Sequence, residues 1–231
     1  MDSVVEMRNV SRSYRSGGET NKVLDDLSIT IKKREMVMIM GPSGSGKTTL
    51  LNILGGIDQA DGGSVMVAGA DLTGLDVSSL NKYRRSKVGF IFQFYNLIPT
   101  LTAAENIELS LETHMKKRAR MRSRAREYLE LVGLRDKIDA FPQEMSGGQQ
   151  QRVAVARALA KEPDLILADE PTGNLDEARE RSVMELMNML QHKIGTTILI
   201  VSHNSALKRY MDRTLILRRG KLESDRTNGG H

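Results

Sequence analysis

The sequence predicts an α/β fold with a mainly parallel sheet, on the basis of three observations. Short β-branched runs alternate with helix-favouring runs along most of the chain, which is typical of a parallel sheet covered by helices. A glycine-rich turn joins one of these strands to the following helix. Between about residues 94 and 162 the strand pattern stops, which predicts a helical insertion in the α/β core.

Each element is predicted from apolar runs of strand length or from apolar residues at helical spacing. We expect strands at 23–31, 36–40, 64–68, 87–92, 164–169, 196–202 and 214–217. We expect helices at 47–54, 103–111, 122–132, 148–160, 177–192 and 205–211. Without internal repeats or low-complexity linkers, the chain is predicted to form one domain, 1–231, with a core of 1–93 and 163–231 and a helical subdomain of 94–162.

Composition favours a globular protein and excludes several other classes. The chain has 231 residues, of which 39% are hydrophobic and 27% charged. Its apolar stretches are far shorter than the roughly 18 residues that a membrane span needs. The first ten residues lack the basic start and apolar run of a signal peptide. The absence of cysteine excludes disulfides and thiolate metal ligands, and is compatible with a reducing cytosol.

The positive charge of the chain is concentrated in one segment. The net charge is +5, and residues 116–126 contain seven basic residues and no acid. Arg118, Arg122 and Arg126 recur at i,i+4, so on a helix they share a face. A solvated helix face is the favoured interpretation, and contact with a membrane surface or a partner is the alternative. Because no aromatic residue interrupts the run, nucleic-acid binding by base stacking is disfavoured.

A phosphate-binding loop is predicted directly after the strand at 36–40. The pattern G-x-x-x-x-G-K-[ST] is matched in full by Gly41, Pro42, Ser43, Gly44, Ser45, Gly46, Lys47 and Thr48. Glycines let successive N–H groups converge on phosphate oxygens, and the helix N-terminus adds its positive end. We expect Lys47 to reach the β and γ phosphates of a nucleotide, Thr48 to bind Mg²⁺, and Thr49 to belong to the same binding set.

Two acidic residues end the apolar strand at 164–169. Asp169 suits a metal ion, bound largely through water, and Glu170 is placed to polarise a water aimed at the γ-phosphate. General-base assistance of this kind contributes roughly 10²–10⁴-fold to a rate. The alternative is a strand end that carries two solvated carboxylates.

The segment SGGQQQR at 146–152 completes a set of motifs that resembles the ATP-binding-cassette (ABC) ATPases, over essentially residues 3–225. The resemblance implies a P-loop NTPase (RecA-like) core with a parallel sheet, an N-terminal antiparallel β subdomain and an inserted helical subdomain. It also implies hydrolysis of ATP with Mg²⁺. In this family the signature residues contact the ATP that is held by a second copy packed head to tail, and here they are Ser146, Gly147, Gly148 and Gln149.

Four further site residues are implied by the resemblance alone. Tyr14 matches the aromatic residue that stacks on adenine, and Gln93 matches the glutamine that contacts Mg²⁺ and the attacking water. Asp176 matches the loop that contacts the opposite protomer. His203 matches the histidine that contacts the γ-phosphate and keeps the water aligned with Glu170. The alternatives are a half-buried tyrosine, a structural glutamine, a helix N-cap and an ordinary surface or core histidine.

The resemblance also implies partners and a location. Because the chain has no predicted membrane span, a transporter role requires a separate integral membrane permease subunit, which would hold the chain at the cytoplasmic face of the cell membrane. ATP binding would bring two copies together as a homodimer. The stretch FQFYNLIP and the following LTAAENIELSL resemble the subclass that serves lipoprotein release, macrolide export and antimicrobial-peptide transport, and Phe92, Phe94 and Tyr95 are the expected partner contacts.

Two other functions are less favoured by the sequence. A soluble ABC ATPase that acts on DNA or ribosomes usually carries a long coiled-coil insertion or two fused cassettes, and this chain has neither. A P-loop kinase for a small molecule would leave the segment SGGQQQR unexplained.

Overall fold

The computed structural model describes residues 3–228, and its ten strands in that range form two sheets. The strands are β1 (Ser3–Ser16), β2 (Glu19–Lys32), β3 (Met36–Met40), β4 (Gly62–Val67), β5 (Ala70–Asp71), β6 (Val88–Phe92), β7 (Leu165–Asp169), β8 (Thr197–Val201), β9 (Arg213–Arg218) and β10 (Lys221–Thr227).

Six α-helices and three short 3-10 helices complete the described part of the chain. The α-helices are α1 (Lys47–Leu54), α2 (Val77–Lys87), α3 (Ala103–Leu111), α4 (Arg118–Leu131), α5 (Gly147–Leu159) and α6 (Glu177–Ile194). The 3-10 helices are Arg135–Lys137, Pro142–Glu144 and Ser205–Tyr210.

The topology of the larger sheet brings the predicted motifs to one edge. Its strand order is β10-β9-β3-β8-β7-β6. The five strands from β9 to β6 run parallel to one another, and the edge strand β10 is antiparallel to β9. The glycine-rich loop follows β3, Glu170 follows β7 and His203 comes shortly after β8. Ligands of open parallel sheets bind outside the carboxyl ends of the strands, where these three segments meet.

The central sheet is covered on both faces, and strand β3 shows how. Met36 and Met38 pack in the core with α3, α4, α5 and α6, whereas Val37 and Ile39 pack with α1 and the smaller sheet. Successive side chains of a strand point to opposite faces, so a fully apolar β3 serves two cores. The smaller sheet, β2-β1-β4-β5, is antiparallel and lies in the second of these cores.

The predicted fold class is confirmed, with several corrections to individual elements. No strand occurs in the helical stretch 94–162, all of which is described. Strand β1 was missed because its polar residues and register shifts interrupt the alternation, and helix α2 because only Leu80 and Tyr83 are buried along it. The segment predicted as a helix at 205–211 is the 3-10 helix Ser205–Tyr210, and the helix expected from residue 122 already begins at Arg118.

The basic run divides into paired and exposed residues. Arg122 lies 3.0 Å from Glu108 and also pairs with Asp139, and Arg124 lies 2.5 Å from Glu162. These arginines therefore attach α4 to the chain before and after it. The remaining basic residues of the run are exposed: Lys116, Lys117, Arg118, Arg120 and Arg126.

Candidate nucleotide-binding site

One cleft of 730 Å³ at the carboxyl edge of the large sheet collects most of the predicted site residues. Its lining includes eleven of them: Gly41, Ser43, Gly44, Gly46, Lys47, Thr48, Thr49, Gln93, Asp169, Glu170 and His203. The remaining lining residues were not predicted for this site, although two of them, Phe92 and Phe94, were expected as partner contacts; the others are Asn21, Val23, Asn96 and Val201. The cleft is therefore built from the loop after β3, the ends of β6 and β7, and the segment after β8.

The glycine-rich loop has a shape that only glycine permits at two positions. Gly46 adopts φ 100°, a left-handed conformation, immediately before α1. A Cβ atom at Gly41 would lie 2.1 Å from the carbonyl oxygen of Leu217, so β9 presses directly against the loop. The backbone of the loop is thus held close to the strand and turned sharply into the helix.

The same loop fits an anionic phosphate group. Helix α1 has no side-chain N-cap and no acidic residue in its first turn, so its first N–H groups are available to an anion. The Ser45 hydroxyl is buried and has no hydrogen-bond partner within residues 3–228. Lys47 Nζ donates to the carbonyl oxygens of Gly41 (2.8 Å) and Pro42 (2.9 Å), which folds its charge back over the loop.

A divalent cation is favoured beside this loop. Thr48 Oγ1 donates to Asp169 Oδ2 at 3.4 Å, so two oxygens of metal-ligand type face each other in the cleft. Burial raises the pKa of Asp169, and the charge of Glu170 raises it further, against smaller opposing effects of Thr48 and Lys47. No cluster of three or more His, Cys, Asp or Glu residues suited to a metal occurs between residues 3 and 228. Thr48 and Asp169 fit Mg²⁺, which is usually bound through one or two carboxylates together with waters and substrate phosphates.

The carboxylate of Glu170 is held by several donors. Its Oε2 accepts from Ser202 Oγ at 3.1 Å, and its Oε1 accepts from the backbone N–H of His203 at 3.1 Å and, with Nδ1 as donor, from the His203 ring at 2.8 Å. The backbone of Glu170 adopts φ 46°, and its N–H donates to Val201 O at 2.9 Å. A left-handed non-glycine residue is strained, and such strain concentrates at functional sites. Sequence reasoning missed Ser202, whose only signal is its place between β8 and His203.

Gln93 connects the end of β6 to the loop after Glu170. Its Nε2 donates to Asn174 Oδ1 at 3.2 Å, while Asn174 Nδ2 donates to the backbone carbonyl of Gln93 at 3.0 Å. This reciprocal pair fixes the start of the helical stretch relative to the segment that follows β7. Gln93 lines the cleft, but its amide is engaged by Asn174 rather than by Thr48 or Asp169.

Tyr14 does not line the cleft. Its hydroxyl donates to Asp58, and the Arg12 guanidinium lies 4.8 Å from its ring centre. Across the β1–β2 ladder, Tyr14 pairs with Asn21, which does line the cleft. Adenine stacking by Tyr14 stays a prediction. Pro42 and Ser45 belong to the glycine-rich loop but also do not line the cleft.

The signature residues lie outside the cleft and form the start of α5. Ser146 and Gln149 make a reciprocal capping box, in which Gln149 Oε1 accepts from Ser146 N at 2.9 Å. The spacing S-x-x-Q is the signal that sequence reasoning overlooked. A Cβ atom at Gly147 would lie 2.7 Å from the Tyr95 hydroxyl, so a larger residue at this position would require the Tyr95 side chain to shift. A Cβ atom at Gly148 would lie 3.4 Å from its nearest neighbour, Arg179, which is an ordinary contact distance. The role of Gly148 toward a second copy stays a prediction.

Asp176 acts as the N-cap of α6, where its side chain accepts from Arg179 N at 2.9 Å. This was the structural alternative for Asp176, and a contact with a second protomer is compatible with it. Asp176 does not line the cleft.

Comparison with known proteins gives a consistent assignment. The ABC transporter family model matches residues 24–173. The ATP-binding protein MJ0796 of Methanocaldococcus jannaschii is 42% identical over 228 residues, which cover 96% of both chains. The lipoprotein-releasing system ATP-binding protein LolD of Shewanella oneidensis is 40% identical over 222 residues, again 96% of both. The macrolide export ATP-binding/permease protein MacB of Salmonella typhi is 45% identical over 222 residues, which are 96% of this chain and 34% of MacB.

Solved structures of MJ0796 share this fold. A dimeric post-hydrolysis state of that cassette, bound to ADP and Pi, superposes with a TM-score of 0.89 at 41% identity and covers 98% of this chain and 100% of the other. A second dimeric MJ0796 structure gives the same values.

Fold and cleft together define a nucleotide-binding α/β protein with a phosphate loop. The chain belongs to the ABC transporter family, and it is an ATP-hydrolysing cassette of the kind that forms dimers in related structures. The predicted likeness to lipoprotein-release and macrolide-export ATPases is confirmed by relatives such as LolD and MacB.

Proposed function

We propose that this chain is the ATP-hydrolysing subunit of a transporter, in which two copies close head to tail around two ATP molecules and drive a separate membrane permease. Export, or the release of lipoproteins or peptides, is the proposed task, because LolD and MacB are among its relatives. The observation that carries the proposal is the assembly of the phosphate loop, Asp169, Glu170 and His203 in one cleft.

In the proposed mechanism the phosphate loop binds and orients ATP. The N–H groups at the start of α1 and the Lys47 ammonium would hold the phosphates, in place of the carbonyl contacts that Lys47 now makes. Thr48, Asp169 and Gln93 are the residues that would hold Mg²⁺, directly or through water. The ion supplies positive charge that offsets the charge of the phosphates.

Glu170 is proposed as the general base. Its carboxylate lies at the end of β7, one residue beyond Asp169, and is aimed by Ser202 and His203. A water held against this carboxylate would lose its proton to Glu170 as it attacks the γ-phosphorus, while the bond from the γ-phosphorus to the bridging β–γ oxygen would break and ADP would leave. His203 would keep the water aligned and contact the γ-phosphate, while Ser146 and Gly148 of the second copy would close the site.

The permease is proposed to dock beside the start of the helical stretch, residues 94–162. Phe94 is 73% exposed, and Ile98 and Leu109 are also exposed apolar residues of this region. None of the helices within residues 3–228 is long and apolar enough to cross a membrane, so a membrane subunit would be a separate polypeptide or segment. Bound to such a subunit, the chain would lie at the cytoplasmic face of the cell membrane, and its helical subdomain would transmit the closure of the dimer.

The proposal is tested with the variant Glu170→Gln. Because this variant keeps every ATP contact but lacks the base, we expect ATP binding to be retained and turnover to fall by about 10²-fold or more. In size-exclusion chromatography with ATP and Mg²⁺ it should run as a dimer. Glu185→Gln is the matched control, since Glu185 is an exposed acid of α6 that pairs with Arg181 at 3.0 Å and lies outside the cleft, and it should hydrolyse ATP normally. Rapid hydrolysis by Glu170→Gln would remove Glu170 from the role.

The same variant identifies the partner. Tagged Glu170→Gln, expressed in its native host and recovered from solubilised membranes with ATP and Mg²⁺, should co-purify with an integral membrane protein in fixed stoichiometry. Recovery of nucleic acid or ribosomes without a membrane protein would contradict the transporter role and leave the ATPase chemistry intact.

A further inference from the structure

A second cavity, of 670 Å³, lies next to the nucleotide cleft, and both are lined by Glu170 and His203. Glu180, in the first turn of α6, lies in its wall and is half-buried. The Oε2 atom of Glu180 accepts from Thr172 Oγ1 at 2.9 Å, and the Oε1 atom accepts from Asn204 Nδ2 at 2.8 Å. One carboxylate therefore joins the loop after β7 to the loop after β8.

The contact to Asn204 continues as a chain of hydrogen bonds to Glu170. The backbone N–H of Asn204 donates to Ser202 Oγ at 3.1 Å, and Ser202 Oγ donates to Glu170 Oε2 at 3.1 Å. Ser202 is only 2% exposed, so no bulk water competes for its hydroxyl. Because the Ser202 hydroxyl has one proton and must accept from Asn204 N, that proton is directed at Glu170.

The orientation of the Asn204 amide is fixed at both ends. Its Oδ1 accepts from Ala206 N at 3.0 Å and caps the 3-10 helix Ser205–Tyr210, which leaves Nδ2 to face Glu180. The side chain at position 180 must therefore offer a hydrogen-bond acceptor to Nδ2 of Asn204. The loop that contains Ser202 and His203 is consequently anchored to α6 through Asn204 and Glu180.

We propose that Glu180 is a positioning residue for ATP hydrolysis, which holds Asn204 and thereby sets Ser202 and His203 against the carboxylate of Glu170. The proposal rests on the role of Glu170 given above. Glu180 does not touch the nucleotide cleft, so its effect is on the orientation of the base and not on ATP binding. A misplacement of a reacting group by about 1 Å can cost 10²-fold in rate, so an anchor of this kind matters to turnover.

Helix stabilisation alone does not account for Glu180. An acid in the first turn of a helix is favoured by the helix dipole wherever its side chain points. Here the capping role belongs to Asp176, which accepts from Arg179 N, and both oxygens of Glu180 are directed to side chains of the two catalytic loops. The arrangement thus connects α6 to the loops that orient the base.

The proposal is tested with Asn204→Asp, which preserves the acceptor for Ala206 N but sets a carboxylate against that of Glu180. We expect kcat to fall by about 10-fold, with the affinity for ATP within about twofold of the wild type. Glu180→Gln on its own should lower kcat less than Asn204→Asp does, since the Gln carbonyl can accept from Asn204 and the Thr172 hydroxyl can accept from the Gln amide.

The decisive variant is the double substitution Asn204→Asp with Glu180→Gln. It rebuilds the hydrogen bond with donor and acceptor exchanged, so kcat should return to within about threefold of the wild type. Asn204→Asp with Glu185→Gln removes one negative charge from the same helix without rebuilding the bond, and it should stay impaired. A general effect on folding or net charge would not distinguish these two double variants.

Three measurements separate the possible outcomes: kcat and KM for ATP, binding of a fluorescent ATP analogue, and the thermal midpoint. Normal kcat in Asn204→Asp, equal rescue by both double variants, or a loss that follows the thermal midpoint would each overturn the positioning role. Glu170→Gln is measured in parallel: its inactivity upholds the proposed base whatever Asn204→Asp does, and its activity would overturn the base itself.

Discussion

Asp169 and Lys161 are both placed where burial disfavours their charged forms, but they differ in what surrounds the charge. Asp169 lies in the cleft beside Thr48 and near Lys47, which oppose the rise in its pKa. Burial lowers the pKa of Lys161 to about 8, and its Nζ donates to the backbone carbonyl of Arg84 at 2.9 Å. The charged form of Asp169 is thus favoured by Thr48 and Lys47 in the cleft, whereas the charge of Lys161 lowers the stability of the fold at neutral pH.

That cost makes stability depend on pH in a defined direction. Between about pH 8 and 10.5, Lys161 binds fewer protons in the folded state than in the unfolded state, so the free energy of unfolding rises with pH through this window and the penalty is complete below it. Relative to Lys161→Met, we expect the wild type to gain about 1–2 kcal/mol between pH 7 and pH 9.5. Urea denaturation of both proteins at the two pH values measures this, and a constant difference would contradict the buried charge.

At the scale of elements, one side chain shapes the segment between β6 and α3. Asn106, which is 1% exposed in α3, accepts from Ile98 N at 2.8 Å through Oδ1. Its Nδ2 lies within 3.1 Å of the carbonyl oxygens of Ile98, Leu101 and Thr102. Thr102 in turn forms a capping box with Glu105 at the start of the helix. The path of the chain beyond Gln93 is therefore set by α3 itself.

Replacing Asn106 by Leu, which has a similar size but no polar atoms, tests how much its hydrogen bonds contribute to stability. Asn106→Leu would remove the hydrogen bonds that this buried amide makes to the backbone groups of Ile98 and Leu101, so we expect the free energy of unfolding to fall by about 1–3 kcal/mol. Asn81→Leu, at an exposed position of α2, should change it by less than about 0.5 kcal/mol. Urea denaturation of the three proteins decides the matter, and equal effects of the two substitutions would contradict a specific role of Asn106.

For the whole molecule, the sequence predicts what is local and misses what depends on distant partners. The loop from Gly41 to Thr48 can be predicted from the sequence because the residues that set its shape and those that bind phosphate lie in one contiguous segment. The fully apolar β3 and the 94–162 stretch without strands are readable for the same reason. The pair Glu180 and Asn204 is not readable, since nothing near either residue indicates the other until α6 and β8 are packed together. Among the site roles taken from the resemblance, those of the signature residues and of Asp176 depend on a second copy, which neither one sequence nor one chain contains.

The last prediction concerns that second copy. Ser146 begins α5 outside the cleft of its own chain, so an obstruction there should leave the binding of ATP to one chain unchanged and block closure of two chains. We expect Ser146→Arg to retain wild-type affinity for ATP, to remain monomeric when combined with Glu170→Gln, and to lose turnover by about 10²-fold or more. Ser123→Arg, at an exposed position of α4, is the control and should hydrolyse ATP normally. A loss of ATP affinity in monomeric Ser146→Arg would instead place Ser146 in the site of its own chain, and the head-to-tail arrangement would fail.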